Sequence, residues 1–179
     1  MANREALREL QSRLASRLQA ARAEGVRLSW LAVEAGARRY LFPLHQSGEI
    51  FSWESAQGVP YTQAWFLGVS NLRGGLFGVV ELSRFIARSQ PADSVTAPDP
   101  ARPESYLIAL NAARDVNCAL LVDRLEGLRS VDSFASTALR LDGDPAYFGN
   151  VYTDAGGERW QEINLQSLSQ QADFLSISA

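Results

Sequence analysis

His45 is the sole histidine of this 179-residue chain and Cys118 the sole cysteine. No two-histidine metal motif, cysteine-rich zinc site or intramolecular disulfide can therefore be built. His45 reads as a loop residue following an edge strand. Asp115, Asp123, Glu126 and Asp132 could supply acid or base chemistry, but their spacing over separate strands and loops brings no two of them together. Asp123 and Arg124 interrupt the apolar run from Ala119 to Leu125 and read as a strand leaving the core for an edge. Serines are plentiful, yet no GxSxG elbow or credible base accompanies them. A GxxxxGK[ST] loop is absent too, and Gly74-Gly75 sits between two strands rather than ahead of a helix where phosphate would be cradled. No catalytic residue, metal or cofactor is expected, and the chain reads as a non-enzyme.

Residues 68–82 suit binding better. Two apolar, strand-like arms, Gly68 to Leu72 and Leu76 to Leu82, meet at a polar, glycine-rich tip carrying Arg73. Gly74 and Gly75 can adopt the positive φ angles of a tight hairpin turn, which leaves Asn71 and Arg73 at the exposed bend. Asn71, Arg73 and Gly74 are thus the candidate contact residues. A purely structural role is the alternative, with the glycine making the turn and Arg73 satisfying a carbonyl at a sheet edge.

Composition narrows the partners. A hydrophobic fraction of 46% fits a well-packed unit, and a net charge of −3 with scattered basic residues argues against nucleic acid. No apolar h-region follows Arg4, Glu5, Arg8 and Glu9, and no run approaches the length of a membrane span, so a cytoplasmic protein without membrane insertion is expected. Trp30, Trp53, Trp65 and Trp160 fall in different elements, as core or interface anchors would.

The elements that must position the hairpin can be read in order. Asn3 as N-cap and Gly25 as stop bracket an amphipathic helix over residues 1–25, its apolar face formed by Leu7, Leu10, Leu14, Leu18 and Ala21. That face could dock on its own domain, on a partner helix or on a membrane surface. Val26 to Val33 and Arg39 to Leu44 form a hairpin about Gly36, with Pro43 placing the second arm at an edge or bulge. Residues 45–64 look irregular, with Ile50 and Phe51 as core anchors, and a helical turn through Ser83 to Ile86 follows the central hairpin. Four prolines at 91, 98, 100 and 103 make residues 87–103 a connector. Tyr106 to Leu110 then pairs with Cys118 to Leu125 around Asn111 to Asp115, and Tyr147 to Thr153 pairs with Arg159 to Ile163. Val131 to Pro145 reads as loop. Asn164 to Leu175 reads as a helix with Leu165, Leu168, Ala172 and Leu175 on one face. Short strands, hairpin turns and few helices indicate an all-β protein, two small barrels flanking the proline-rich connector.

In this setting Gly68-Val69-Ser70-Asn71-Leu72-Arg73-Gly74 followed by Val79-Val80-Glu81-Leu82 resembles the G-V-x-N-x-R-G-x-x-x-P-V-x-D-L pattern of the CheW-like family of chemosensory adaptors. Three further segments agree in order: Val33 to Leu44, Ala119 to Leu125, and Tyr147-Phe148-Gly149 with Ile163-Asn164-Leu165. Gly78 stands where the family has proline, Glu81 where it has aspartate, and Asn164 where aspartate is common. The resemblance implies two SH3-like five-stranded β-barrels sharing a core, occupying residues 26–170, with the helical extension 1–25 before them and a tail at 171–179. It also implies a non-enzymatic adaptor that couples the cytoplasmic tip of a methyl-accepting chemoreceptor to the regulatory domain of a CheA-type histidine kinase, recruited to membrane-bound receptor arrays. The leading helix and long connector make the chain most similar to members serving type IV pili and twitching motility. By motif, Asn71, Arg73 and Gly74 fall on the receptor side. A small-ligand-binding or enzymatic β-barrel is the competing reading, and an oligonucleotide-binding barrel a weaker one.

Overall fold

The computed structural model describes residues 29–89, 104–110 and 116–179. The expected N-terminal helix, most of the proline-rich connector and the Asn111 to Asp115 turn lie outside the described residues. The elements run β1 (Ser29–Ala35), β2 (Arg38–Pro43), a 3₁₀ turn (Leu44–Gln46), β3 (Ser47–Ser52), β4 (Phe66–Leu72), β5 (Gly75–Glu81) and α1 (Leu82–Ala87). Beyond the connector come β6 (Tyr106–Leu110), β7 (Cys118–Val122), β8 (Arg124–Ser130), a second 3₁₀ turn (Val131–Ser133), β9 (Phe134–Ala138), β10 (Phe148–Asp154), β11 (Arg159–Ile163), α2 (Leu165–Ser169) and α3 (Ala172–Leu175).

Two sheets result. One has six strands in the order β8-β1-β2-β11-β10-β9, and the other has five in the order β3-β6-β7-β5-β4. The first carries one strand more than expected because β9 adds to its edge. The connector does not separate the two, since β5 before it and β6 after it both belong to the five-stranded sheet. The six-stranded sheet instead takes strands from both ends of the chain.

Strand alternation sorts the apolar side chains into three cores. On β1, Trp30 and Ala32 turn inward to meet Leu41, Tyr152 and Trp160, a core internal to the six-stranded sheet. Leu31 and Val33 turn the other way, with Tyr40 and Phe42, and meet Val80, Ile108 and Leu120 in a core shared by both sheets. Val79, Leu107 and Ala119 fill the five-stranded sheet. Strands buried on both faces explain why β1 and β2 read as near-continuous apolar runs. Phe85 of α1, Leu165 and Leu168 of α2, and Phe174 of α3 seal the shared core.

Several expectations need correction. β2 is not an edge strand: it lies between β1 and β11, and Pro43 is tolerated because the β11 ladder reaches only Tyr40 and Leu41. Residues 45–64 contain β3, and Ile50 is 41% exposed while Phe51 packs against the third core. Val131 to Pro145 contains β9. The tail is two short helices broken at Gln170-Gln171, so the helical phase resets: Phe174 is buried, whereas Leu175 is exposed. Asp123 leads to an edge as expected, but to that of the other sheet, where β8 is the outermost strand. It marks the switch from β7 in one sheet to β8 in the other, where its amide donates to the Glu34 carbonyl at 2.8 Å and its Oδ2 accepts from the Gly36 amide at 2.8 Å.

Candidate interaction surface at the β4–β5 hairpin

β4 and β5 pair antiparallel from Phe66↔Val80 to Leu72↔Gly75. The two-residue turn is therefore Arg73–Gly74, one position earlier than the two glycines suggest, with Gly75 already in β5. Both turn residues have positive φ, +48° at Arg73 and +83° at Gly74, the pattern whose twist matches that of the flanking strands. For a residue with a Cβ this conformation costs roughly 1–2 kcal/mol. Asn71 offsets part of that cost, because its Oδ1 accepts from the Gly74 amide at 2.9 Å.

The Arg73 side chain supplies the rest of the anchoring. Its guanidinium pairs with the Glu49 carboxylate of β3 and stands over the Phe51 ring, 6.0 Å from the centroid. The Arg73 side chain nevertheless remains 76% exposed. Around the tip, Leu76 and Ile50 are also exposed. The surface is thus an oriented cation with apolar neighbours on a braced turn.

β3 and β4 are the two outer strands of this sheet, and the chain after β3 folds back on β4. Gln57 and Val69 exchange backbone hydrogen bonds of 2.8 and 2.9 Å. Gly68 makes that approach possible: its φ is +132°, and a Cβ there would sit 2.0 Å from the Gln57 carbonyl oxygen. The first glycine of the motif is thus fixed by backbone crowding, and Asn71 and Gly74 by the turn. The sequence marks Phe51 only as a core anchor and does not single out Glu49, because both belong to a segment that lacks clear alternation.

The other motif positions are structural. Glu81 is buried and its Oε2 lies 2.9 Å from Arg84 Nε, while burial pushes its carboxyl up from the ordinary value. Gly78 donates its amide to the Asn117 carbonyl at 3.0 Å. Asn164 caps α2, its Oδ1 accepting from the Ser167 amide at 2.9 Å. Cys118 is buried and its thiol is pushed up to about 12, so no thiolate is available at neutral pH. His45 lies in the first 3₁₀ turn, Glu126 and Asp132 are exposed on separate elements, and Asp115 lies outside the described residues. Among the described residues no group of three or more His, Cys, Asp or Glu is placed to hold a metal ion.

A family model described as the CheW-like domain matches residues 29–173. The chain belongs to the CheW-like family. Protein PilI of Pseudomonas aeruginosa is 24% identical over 170 residues, covering 93% of this chain and 89% of that protein. The crystal structure of the scaffolding protein TtCheW from Thermoanaerobacter tengcongensis superposes with a TM-score of 0.60 at 15% identity, covering 77% of this chain and 89% of the other. The CheW-like fold of two small β subdomains thus accounts for both sheets. No helix among the described residues is long and apolar enough to cross a membrane.

Proposed function

We propose that this CheW-like protein is a non-enzymatic adaptor coupling the cytoplasmic tip of a chemoreceptor to the regulatory domain of a CheA-type histidine kinase. It would act in the cytoplasm at membrane-bound receptor arrays. Its similarity to PilI along most of both chains supports a place in a chemosensory system controlling type IV pili and twitching motility. The observation that carries the reading is the β4–β5 tip. A cation held by Glu49 and Phe51 on a strained turn, yet largely exposed, suits a contact residue better than a structural one. Asn71 and Gly74 shape the turn, and Arg73 makes the receptor-side contact. A ligand-binding barrel has less support, because tryptophan, tyrosine and aliphatic side chains fill the interiors of both sheets.

Reconstitution of receptor tip, kinase and this protein tests the proposal. Co-sedimentation of all three is expected, with loss of the receptor when Arg73 is replaced by alanine. Binding of neither receptor nor kinase would remove the adaptor reading.

A further inference from the structure

The six-stranded sheet has an open half. One row of side chains crosses four of its strands, Tyr40, Gln161, Val151 and Ala138, in direct register. At one end Tyr40 lies in the core shared with the second sheet, and at the other Ala138 is exposed. Over this uncovered end lies a groove of about 750 Å³.

Its two rims differ in chemistry. On one, Leu139 and Leu141 are 79% and 72% exposed. They are held out by a built turn: Asp144 Oδ2 accepts from the Leu141 amide at 3.0 Å, and Arg140 Nη1 donates to the Ala146 carbonyl at 3.3 Å. On the other rim, Arg38 and Arg159 open the adjacent parallel strands β2 and β11, on the same side as Tyr40 and Gln161. Like charges on neighbouring strands disfavour each other. Among the described residues no carboxylate pairs with either. The groove's own acids are occupied, Glu158 with Arg39 and Asp144 with the turn.

We propose that this groove takes an acidic, leucine-bearing segment of a partner protein. Its apolar side chains would cover Leu139 and Leu141, and its carboxylates would bridge Arg38 and Arg159 in the bidentate manner guanidinium favours. The chain's own N-terminal segment is a poor occupant, since Arg4, Arg8, Arg13, Arg17 and Arg22 would meet like charge. The inference goes beyond the adaptor reading and does not depend on it, because the groove lies on the other sheet from Arg73.

Selection of displayed random 16-residue peptides against the full-length protein tests it. Enriched peptides should be acidic and rich in leucine or related side chains. They should bind at least tenfold more weakly to the Arg38→Glu/Arg159→Glu variant and to the Leu139→Ser/Leu141→Ser variant, and unchanged to Arg73→Ala. Circular dichroism confirms that each variant is folded, and the two double variants remove charge and apolar surface independently. Enrichment of non-acidic peptides, no enrichment, or equal binding to the charge-reversed variant would overturn the proposal. So would a self-association that charge reversal abolishes, which would make the occupant a second copy.

Discussion

The guanidinium of Arg73 reaches from the β4–β5 turn to the carboxylate of Glu49 on β3, the strand at the opposite edge of the same sheet. The pair is exposed, so it adds only about 0–1 kcal/mol to stability. Its value lies in aiming the cation. Arg73→Ala should leave the urea midpoint almost unchanged while weakening receptor assembly by about 1–2 kcal/mol. Glu49→Ala should do the same in smaller measure, because the cation remains but is no longer aimed. Equal assembly by wild type and Arg73→Ala would take Arg73 out of the contact.

Gly68 and Gly74 both have positive φ but for different reasons, and alanine substitution separates them. At Gly74 nothing lies within 4 Å of an added Cβ, so Gly74→Ala carries only the conformational cost, about 1 kcal/mol. At Gly68 the Cβ would meet the Gln57 carbonyl at 2.0 Å, so β4 and the folded-back segment must part. Gly68→Ala should cost more than 3 kcal/mol, a value reserved for such collisions. Urea unfolding of the two variants measures the difference, and equal losses would mean that Gln57 can yield.

The hairpin was legible because its apolar arms and its turn residues agree with each other. β3 and β9 were not. In β9 only Phe134 is partly buried and the four residues after it are exposed, so no alternation of period two survives in Ala135, Ser136, Thr137 and Ala138. In β3 a register irregularity between Ser47 and Ile50 breaks the same signal. Pairing between sheets is a tertiary fact, so nothing in residues 119–125 tells that the edge reached after Asp123 belongs to a second sheet. The Arg73–Glu49 pair is illegible for the same reason, since Glu49 lies on a strand whose existence the pattern hides.

Glu81 gives a pH signature. Burial raises its carboxyl above the ordinary 4.5, outweighing the lowering by Arg84. The folded protein therefore holds this proton more tightly than the unfolded chain. The corresponding stability is fully present below about pH 4.5 and is lost as pH rises through the folded-state value. Unfolding free energies from pH 4.5 to neutrality should show wild type losing stability relative to Glu81→Gln. A pH-independent difference would show that the carboxyl is not raised.

Trp30 is buried, and its Nε1 donates to Glu162 Oε1 at 2.9 Å while Glu162 Oε2 accepts from the Asn150 amide at 3.2 Å. One carboxylate thus satisfies two donors at the mouth of the core internal to the six-stranded sheet. Glu162→Ala strands both, and each unmet donor costs about 1–3 kcal/mol. Glu162→Gln keeps an acceptor and should lose distinctly less. Calorimetric melting of the two variants provides the check, and comparable losses would assign the effect to charge instead of hydrogen bonding.

Gly78→Pro restores the residue of the family pattern, yet it should destabilise this chain. Gly78 pairs with Cys118 in the parallel β5–β7 ladder, and its amide donates to the Asn117 carbonyl at 3.0 Å. Proline has no such donor. An added Cβ would also stand 2.9 Å from the Phe66 ring, which packs against the shared core and meets Trp65 edge-on at 6.4 Å. The ring must give way or the strands must part. Asn117 is exposed, so loss of the bond costs only about 0.5–1.5 kcal/mol, to which the displacement of Phe66 adds. A urea series on Gly78→Pro, with Gly78→Ala to isolate the steric part, should rank wild type above alanine above proline. If proline proved as stable as glycine, the Asn117 bond would contribute nothing and β5 would be free to shift along β7.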